Sequence, residues 1–470
     1  MKHFFLFIAC LFTFISIANA RTVTGKVVCE GKGICKVIVT DGTSFTQTKR
    51  NGSFKFNIKD DAKFVYIITP SGYIADWSKG SPEFYQRAEE RNNFIFNLQK
   101  TETGNEEYNL IVVGDPQPRS NAHFEEFIGR PLDDICRTAA ALSSPTIGIV
   151  VGDICYDKLP LQKRWKEEIT RTGIPFYPSV GNHDHDKAFN DDKKSIHAYN
   201  DNFGPENYAF FFGKDLFIVL DNIIYHSRSG YDEGYTKEII EWIKGLMTFI
   251  PKDMDIFVAQ HSSLNGRWHR TGLLEPSIVN CDKLMNLLAG HQVTFFSGHN
   301  HVNGNFQYTP TMIEHNIAAI CGTWWDTYHC TDGTPRGYKV YNKKDGKLTW
   351  YYKSIDKNPD FQYEIFMPGT TRLHPEHIVV NIWDFDEQWN VEWLEDGKPM
   401  GKMESVEEYS PIHTAEIYAK YDGTDTPIKV YKLTTPAKHY FAAKPSADAK
   451  EITVVITNRF GKTWKETIKL

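Results

Sequence analysis

Apolar positions follow three regimes along the chain. Between residues 21 and 100 they alternate with polar ones in short runs (23–28, 35–40, 54–58, 64–69 and 94–98), separated by the turn pairs Asp41-Gly42 and Asn51-Gly52. Alternation of period two broken by such turns predicts a small β-sandwich. The polar stretch Thr101-Glu102-Thr103-Gly104-Asn105-Glu106-Glu107 reads as a linker. Beyond it the class changes. Continuous apolar runs at 110–113, 147–151, 176–180, 216–220, 256–259 and 293–296 alternate with helical patterns at 132–142, 162–172, 236–249 and 282–289. Strand and helix in alternation predict an α/β core. After residue 354 the helical pattern stops, 356–360 reads as a second linker, and runs at 378–383, 390–394, 416–421, 429–432, 439–442 and 452–457 predict a second all-β domain. The expected divisions are therefore a leader over residues 1–20, a β-sandwich over 21–100, an α/β domain over 108–354 and a β-domain over 361–470. A chain of 470 residues exceeds one ordinary core, which agrees with several domains.

The leader is a separate object. Lys2 and His3 precede an apolar stretch over residues 4–17, and Ala18-Asn19-Ala20 offers a small-residue cleavage site before Arg21. The apolar stretch is short of the roughly 20 residues that span a bilayer, so it reads as a signal peptide and not as an anchor. A lipoprotein signal ending at Cys10 is the alternative, although bulky Phe7 and a short apolar region fit it less well. An exported protein, periplasmic or extracellular, is expected. Of eight cysteines, Cys10 falls in the leader, and the remaining seven are an odd number, so at least one has no partner within the chain. An oxidising compartment would permit a Cys29–Cys35 disulfide across a hairpin, and Cys321 with Cys330 is a second candidate pair. Hydrophobic residues make up 41% and charged ones 24%, the composition of a folded protein, and 59 acidic against 53 basic residues leave no footprint for a polyanion. Nucleic acid is not an expected partner.

Chemistry concentrates at the ends of the predicted core strands. The first runs into Gly114-Asp115-Pro116-Gln117, the second into Gly152-Asp153-Ile154-Cys155-Tyr156-Asp157, and the third into Gly181-Asn182-His183-Asp184. Two later strands end in Gln260-His261 and in Ser297-Gly298-His299-Asn300-His301. Glycine allows the chain to turn sharply at the sheet edge, where sites of open α/β sheets lie. Five successive strand ends carrying oxygen and imidazole donors are explained together by a binuclear metal site. Two neighbouring cations repel, so a shared carboxylate between them and neutral imidazole or amide ligands around them balance the charge. Such pairs serve phosphate chemistry, clamping the anion and acidifying a water.

These blocks resemble the calcineurin-like metallophosphoesterase family, whose motifs run Asp-x-His, Gly-Asp-x-x-(Asp or Tyr), Gly-Asn-His-(Asp or Glu), a lone His after a strand, and Gly-His-x-His. The resemblance covers roughly residues 109–353, and the five blocks occur in the family's order. The layout also resembles a secreted subgroup in which a small β-domain flanks the catalytic domain on each side. The resemblance implies a metallophosphoesterase-type α/β sandwich binding two divalent or trivalent ions of manganese, iron or zinc. It implies phosphomonoester or phosphodiester hydrolysis by a metal-bridging hydroxide, without a covalent intermediate. Residue by residue, it makes Asp153 the bridge; Asp115, Gln117 and His301 complete one metal's ligands, and Asn182, His261 and His299 the other's. It sets His183 beside the substrate as general acid or charge stabiliser, oriented by Asp184.

Two departures stand out. Gln117 occupies a place where the family more often has histidine, and Tyr156 resembles the phenolate ligand of purple acid phosphatases, which makes it a rival to Gln117, with Asp157 beside it as a candidate supporting carboxylate. Arg267 and Arg270, in Arg267-Trp268-His269-Arg270, are candidate grips for an anionic substrate, or a solvated basic loop. Trp324, in Trp324-Trp325-Asp326, is a candidate for stacking on a base or sugar, or for the core; Trp383, Trp389 and Trp393 read as core. The competing reading of the whole chain is a non-catalytic secreted binding or adhesion protein with a relic phosphoesterase domain.

Overall fold

The structure is a computed structural model that describes residues 20–89, 91–101 and 107–470. The leader through residue 19, Cys10 included, and residues 102–106 of the first predicted linker lie outside the described residues. Among the described residues no helix is long and apolar enough to cross a membrane.

Two sheets face each other at the centre. One has the strand order Phe176–Pro178, Thr146–Val150, Glu107–Val113, Gly337–Lys344, Lys347–Ser354; its first three strands are parallel and the last two antiparallel. The other runs Tyr208–Phe212, Asp215–Val219, Ile256–Ala259, Val293–Ser297, Met312–Asn316, Gly304–Thr309, with four parallel strands between antiparallel edges. Both faces of the central strands are covered, which is why their sequences are continuous apolar runs. Along Glu107–Val113, Leu110 and Val112 belong to the core between the sheets, whereas Ile111 and Val113 pack with Phe124, Leu132 and Ile135 of the helices Asn121–Gly129 and Pro131–Ala141. The helix Lys237–Met247 buries Ile239, Trp242, Ile243 and Leu246 in the same continuous core as the second sheet, with Trp242 6.2 Å from Phe45 of the N-terminal region.

Residues 20–101 form two small sheets, of five and four strands. They share a continuous core with the central domain. Phe84 lies 4.7 Å from Tyr208, and Phe211 donates its backbone N–H to Thr69 at 2.8 Å.

The C-terminal region contains two four-stranded sheets, built from Tyr363–Phe366, Ile378–Ile382, Ala437–Ala443 and Glu404–Glu408, and from Lys398–Lys402, Asn390–Glu395, Glu451–Thr457 and Thr463–Lys469. It also corrects the expectation that helices end at residue 354. The predicted strand at 416–421 lies in the helix Pro411–Tyr421, and the predicted strand at 429–432 is a 3₁₀ turn, Val430–Lys432. The helix starts at Ser410, whose hydroxyl accepts the His413 N–H at 3.2 Å, with proline in the first turn. That cap outweighs the local alternation. Trp383 is buried in the central-domain core with Tyr338 and Tyr352, while Trp389 and Trp393 pack, partly buried, against the separate core of the C-terminal sheets.

Neither candidate disulfide is present; all seven described cysteines are free thiols. Cys29 points inward from its strand while Cys35 is exposed. Cys321 faces His301 Nδ1 at 4.0 Å, and Cys330 faces the Ala319 carbonyl at 3.6 Å.

Candidate metal centre

The five predicted blocks come from the carboxyl ends of strands in both sheets and meet at one place. Reaching it bends the backbone into the sparsely populated left-handed region at Asp115, Gln117, Asp153, His299 and His301, with φ between 42° and 65°. Such strain in non-glycine residues gathers at functional sites. Close approach also demands glycine. A Cβ on Gly181 would lie 2.2 Å from the Asp153 backbone nitrogen, and one on Gly298 2.4 Å from Asp115 Oδ2.

Asp153 is at the centre, fully buried. One carboxylate oxygen accepts from the Gln117 amide and lies 3.3 Å from His261 Nε2; the other accepts the His183 backbone N–H at 2.8 Å. On the His261 side, Nε2 is 3.1 Å from Asn182 Oδ1 and 3.1 Å from His299 Nδ1. On the other side, His301 Nε2 is 3.4 Å from Asp115 Oδ1, and Asp115 accepts the His299 N–H at 3.0 Å. All seven predicted ligand residues are thus brought together. Burial opposes a charge on His261, but Asp153 outweighs it and lifts the imidazole to about 9. Against the same penalty, Asp115 lifts His301 to about 10.

The donor set suits divalent ions. Candidate ligand atoms of Asp153, His261 and His299 lie within 4.8 Å of one another. The buried Gln117 Oε1 has no hydrogen-bond partner, so a hard acceptor is left over inside the cluster. His261 Nδ1 bonds to the Val151 carbonyl at 2.8 Å and His299 Nε2 to Glu233 at 3.0 Å, which turns their other ring nitrogens inward.

The expected pairing of His183 with Asp184 is not what the fold builds. Asp184 is fully buried beneath the loop, where it accepts the Gly181 and Ile154 N–H groups at 2.9 and 3.2 Å and the Gln162 amide at 3.1 Å. Burial, then Asp153, raises it to about 6. His183 Nδ1 instead meets Asp157 Oδ1 at 2.8 Å. Consecutive side chains leave a tight turn in opposite directions, so the neighbour in sequence is the wrong partner in space. Tyr156 stacks on the His183 ring at 3.9 Å, in the wall of the site, whereas Gln117 touches Asp153.

A cavity of about 220 Å³ opens over these residues, lined also by Arg267, Arg270 and Trp324. Arg267 is tied to Glu233 at 3.2 Å and to the Tyr231 hydroxyl. Trp324 stacks on His301 at 4.5 Å, while Trp325 is buried with its indole N–H on the Pro116 carbonyl at 3.0 Å. Glu233 and Tyr231 come from the hairpin strand Gly230–Glu233, and Tyr431 from the C-terminal 3₁₀ turn; none of the three is among the candidate residues read from the sequence. No motif marks them. The only local signal is an acidic and aromatic turn in Gly230-Tyr231-Asp232-Glu233.

Three family profiles match the chain. Residues 108–303 match "Calcineurin-like phosphoesterase", residues 21–101 "N terminal of Calcineurin-like phosphoesterase" and residues 314–464 "C terminal of Calcineurin-like phosphoesterase". The chain belongs to the calcineurin-like phosphoesterase family. As a calcineurin-like phosphoesterase with both extension domains, it is a phosphoester hydrolase that depends on metal ions, which sets aside the relic-domain reading. No curated protein matches the chain. Among solved structures, a dimetal phosphatase from Danio rerio is similar at 11% identity over 53% of this chain and 97% of its own, with a TM-score of 0.39. The 5'-nucleotidase of Candida albicans SC5314 is similar at 12% identity over 53% of this chain and 52% of its own, TM-score 0.32. The phosphopantetheinyl hydrolase of Mycobacterium tuberculosis is similar at 12% identity over 46% and 89%, TM-score 0.26. At these scores none carries an argument about the substrate of this calcineurin-like phosphoesterase.

Proposed function

We propose that this calcineurin-like phosphoesterase is an exported hydrolase of phosphomonoesters or phosphodiesters that uses a pair of metal ions. The observation that carries the reading is the position of Asp153, in contact with Gln117 on one side and with His261 on the other. Asp115, Gln117 and His301 would hold one ion, Asn182, His261 and His299 the other, and Asp153 both. Two ions of manganese, iron or zinc held there would supply Lewis acidity toward the phosphoryl oxygens and toward the attacking water. The chain's own residues do the rest. His183 is held by Asp157 and carries a proton to the leaving oxygen. Arg267 and Arg270 face the cavity and grip the non-transferring anionic oxygens. Asp184 fixes the loop from beneath. Attack in line by water, with no covalent enzyme intermediate, is the expected course. Export rests on the leader sequence over residues 1–20.

The test combines metal analysis with a panel of aryl and alkyl phosphomonoesters and phosphodiesters, with manganese, iron or zinc added. The native chain should bind two equivalents and turn over members of the panel. Asp153→Asn should lose metal at both positions, because the shared carboxylate offsets repulsion between the cations. A variant that keeps two full equivalents would overturn the bridging role, and a metal-loaded native protein inactive on the whole panel would overturn the reaction.

A further inference from the structure

Above the candidate metal centre the cleft has two aromatic walls. On one side His301 carries Trp324 stacked at 4.5 Å, and Trp324 meets Tyr431 edge to face at 5.0 Å. On the other His183 carries Tyr156 stacked at 3.9 Å, capped by the Arg119 guanidinium at 4.4 Å from the ring centre. Trp324, Tyr431 and Tyr156 line the same opening.

Tyr431 is contributed by the C-terminal region and is held firmly although 42% exposed. Its neighbour Lys432 is bonded to Asp326 and, at 2.9 Å, to the Tyr421 hydroxyl, which itself donates to Asp326 at 3.0 Å. A large ring anchored this way and left half open at a site's mouth has surface to spare for a ligand. The carboxylate and amide side chains of the lining, Asp153, Gln117, Asn182 and Asn300, are all buried at the floor. The rim therefore offers π faces and edges and guanidinium groups, but few of the groups that read sugar hydroxyls.

We infer that the cleft selects phosphoesters whose leaving group carries a planar ring, with Tyr431 and Trp324 as the wall on which that ring packs. The inference rests on the hydrolase reading above. A flat ring packed on Tyr431 and Trp324 makes aromatic contacts that a saturated group of the same size forgoes.

Two substrate pairs test it, each with matched scissile bonds. Adenosine 5'-monophosphate and ribose 5-phosphate share the leaving alcohol and differ by the ring one sugar away; benzyl phosphate and cyclohexylmethyl phosphate differ by a ring next to the bond. The metal-loaded native protein should prefer the ring-bearing member of at least one pair in kcat/KM by roughly tenfold, the scale of one base stacked on an aromatic side chain. Which pair shows the preference locates the ring. Tyr431→Ala should collapse that ratio and Tyr431→Phe should keep it, with metal content equal in both. Equal kcat/KM within both pairs, or an equal loss on both members in Tyr431→Ala, would overturn the inference. Calorimetric titration of the same four compounds reads the slot without turnover. Tighter binding of the ring-bearing member in a protein that hydrolyses nothing would sustain the slot while sinking the reaction, and equal affinities would sink the slot.

Discussion

His183 and its partner separate proton transfer from metal binding. The Asp157 carboxylate meets the ring of His183 at 2.8 Å and the Lys187 ammonium at 3.7 Å, away from the candidate metal ligands. His183→Ala should keep its metal while kcat falls by roughly 10² to 10⁴, the scale of a lost general acid. The loss should be smaller for a nitrophenyl ester, whose leaving group needs no proton, than for an alkyl ester. Asp157→Asn should show the same substrate dependence at smaller amplitude. Equal losses on both esters, or lost metal, would reassign His183 as a ligand or as a fixed charge. The rivalry between Gln117 and Tyr156 is decided by spectroscopy. With Gln117 against Asp153 and Tyr156 stacked on His183, the iron-loaded protein should show no phenolate charge-transfer band, and Tyr156→Phe should leave its visible spectrum unchanged. A band that disappears in that variant would make Tyr156 the ligand.

At the scale of elements, the site exists because strands of two different sheets stop at one level and their following loops fold over one another. The crossing of the Asp153 and Asn182 loops is the tightest of these approaches. Gly181→Ala would place a methyl group 2.2 Å from both the backbone nitrogen and Oδ1 of Asp153, neither of which can swing aside as a flexible side chain does. The expected result is a folded protein with a displaced Asp153, metal stoichiometry below two and kcat/KM reduced by at least tenfold. Elemental analysis alongside circular dichroism checks it, and a variant with native metal content and rate would show that the loops yield more easily than close packing allows.

For the molecule as a whole, the C-terminal region is joined to the catalytic domain through a buried polar seam. His413, fully buried, bonds to Thr323 Oγ1 at 2.9 Å and to Thr434 Oγ1 at 2.8 Å, and burial lowers its pKa from 6.5 to about 4. The unfolded chain therefore takes up a proton near pH 6.5 that the folded chain resists until about pH 4. Stability contributed by the neutral ring is present above that window and is lost as pH falls through it, by up to about 1.4 kcal/mol per pH unit. Urea unfolding at pH 7 and 4.5 should show a smaller drop in midpoint for His413→Gln than for the native chain. Identical drops would mean that other groups carry the acid sensitivity.

The order of elements and the ligand types were legible in the sequence because both are local. Periodicity of two or of 3.6 follows from where one chain segment meets the core, and Asp115, Asp153, His183 and the His299–His301 pair each lie in a short block at a strand end. The helix at Pro411–Tyr421 is masked in the sequence because the run 416–421 has a strand-like pattern, while its Ser410-Pro411 start lies several residues upstream. Which donors pair was decided by tertiary structure alone. Asp157 and not Asp184 supports His183, since the direction of a side chain leaving a turn depends on backbone angles that spacing does not encode. Glu233 behind His299 and Tyr431 over Trp324 arrive from segments 66 and 107 residues away, and nothing local marks them. Local chemistry sets which groups a chain can offer; only the packing of two sheets and a docked C-terminal region decides which of them meet.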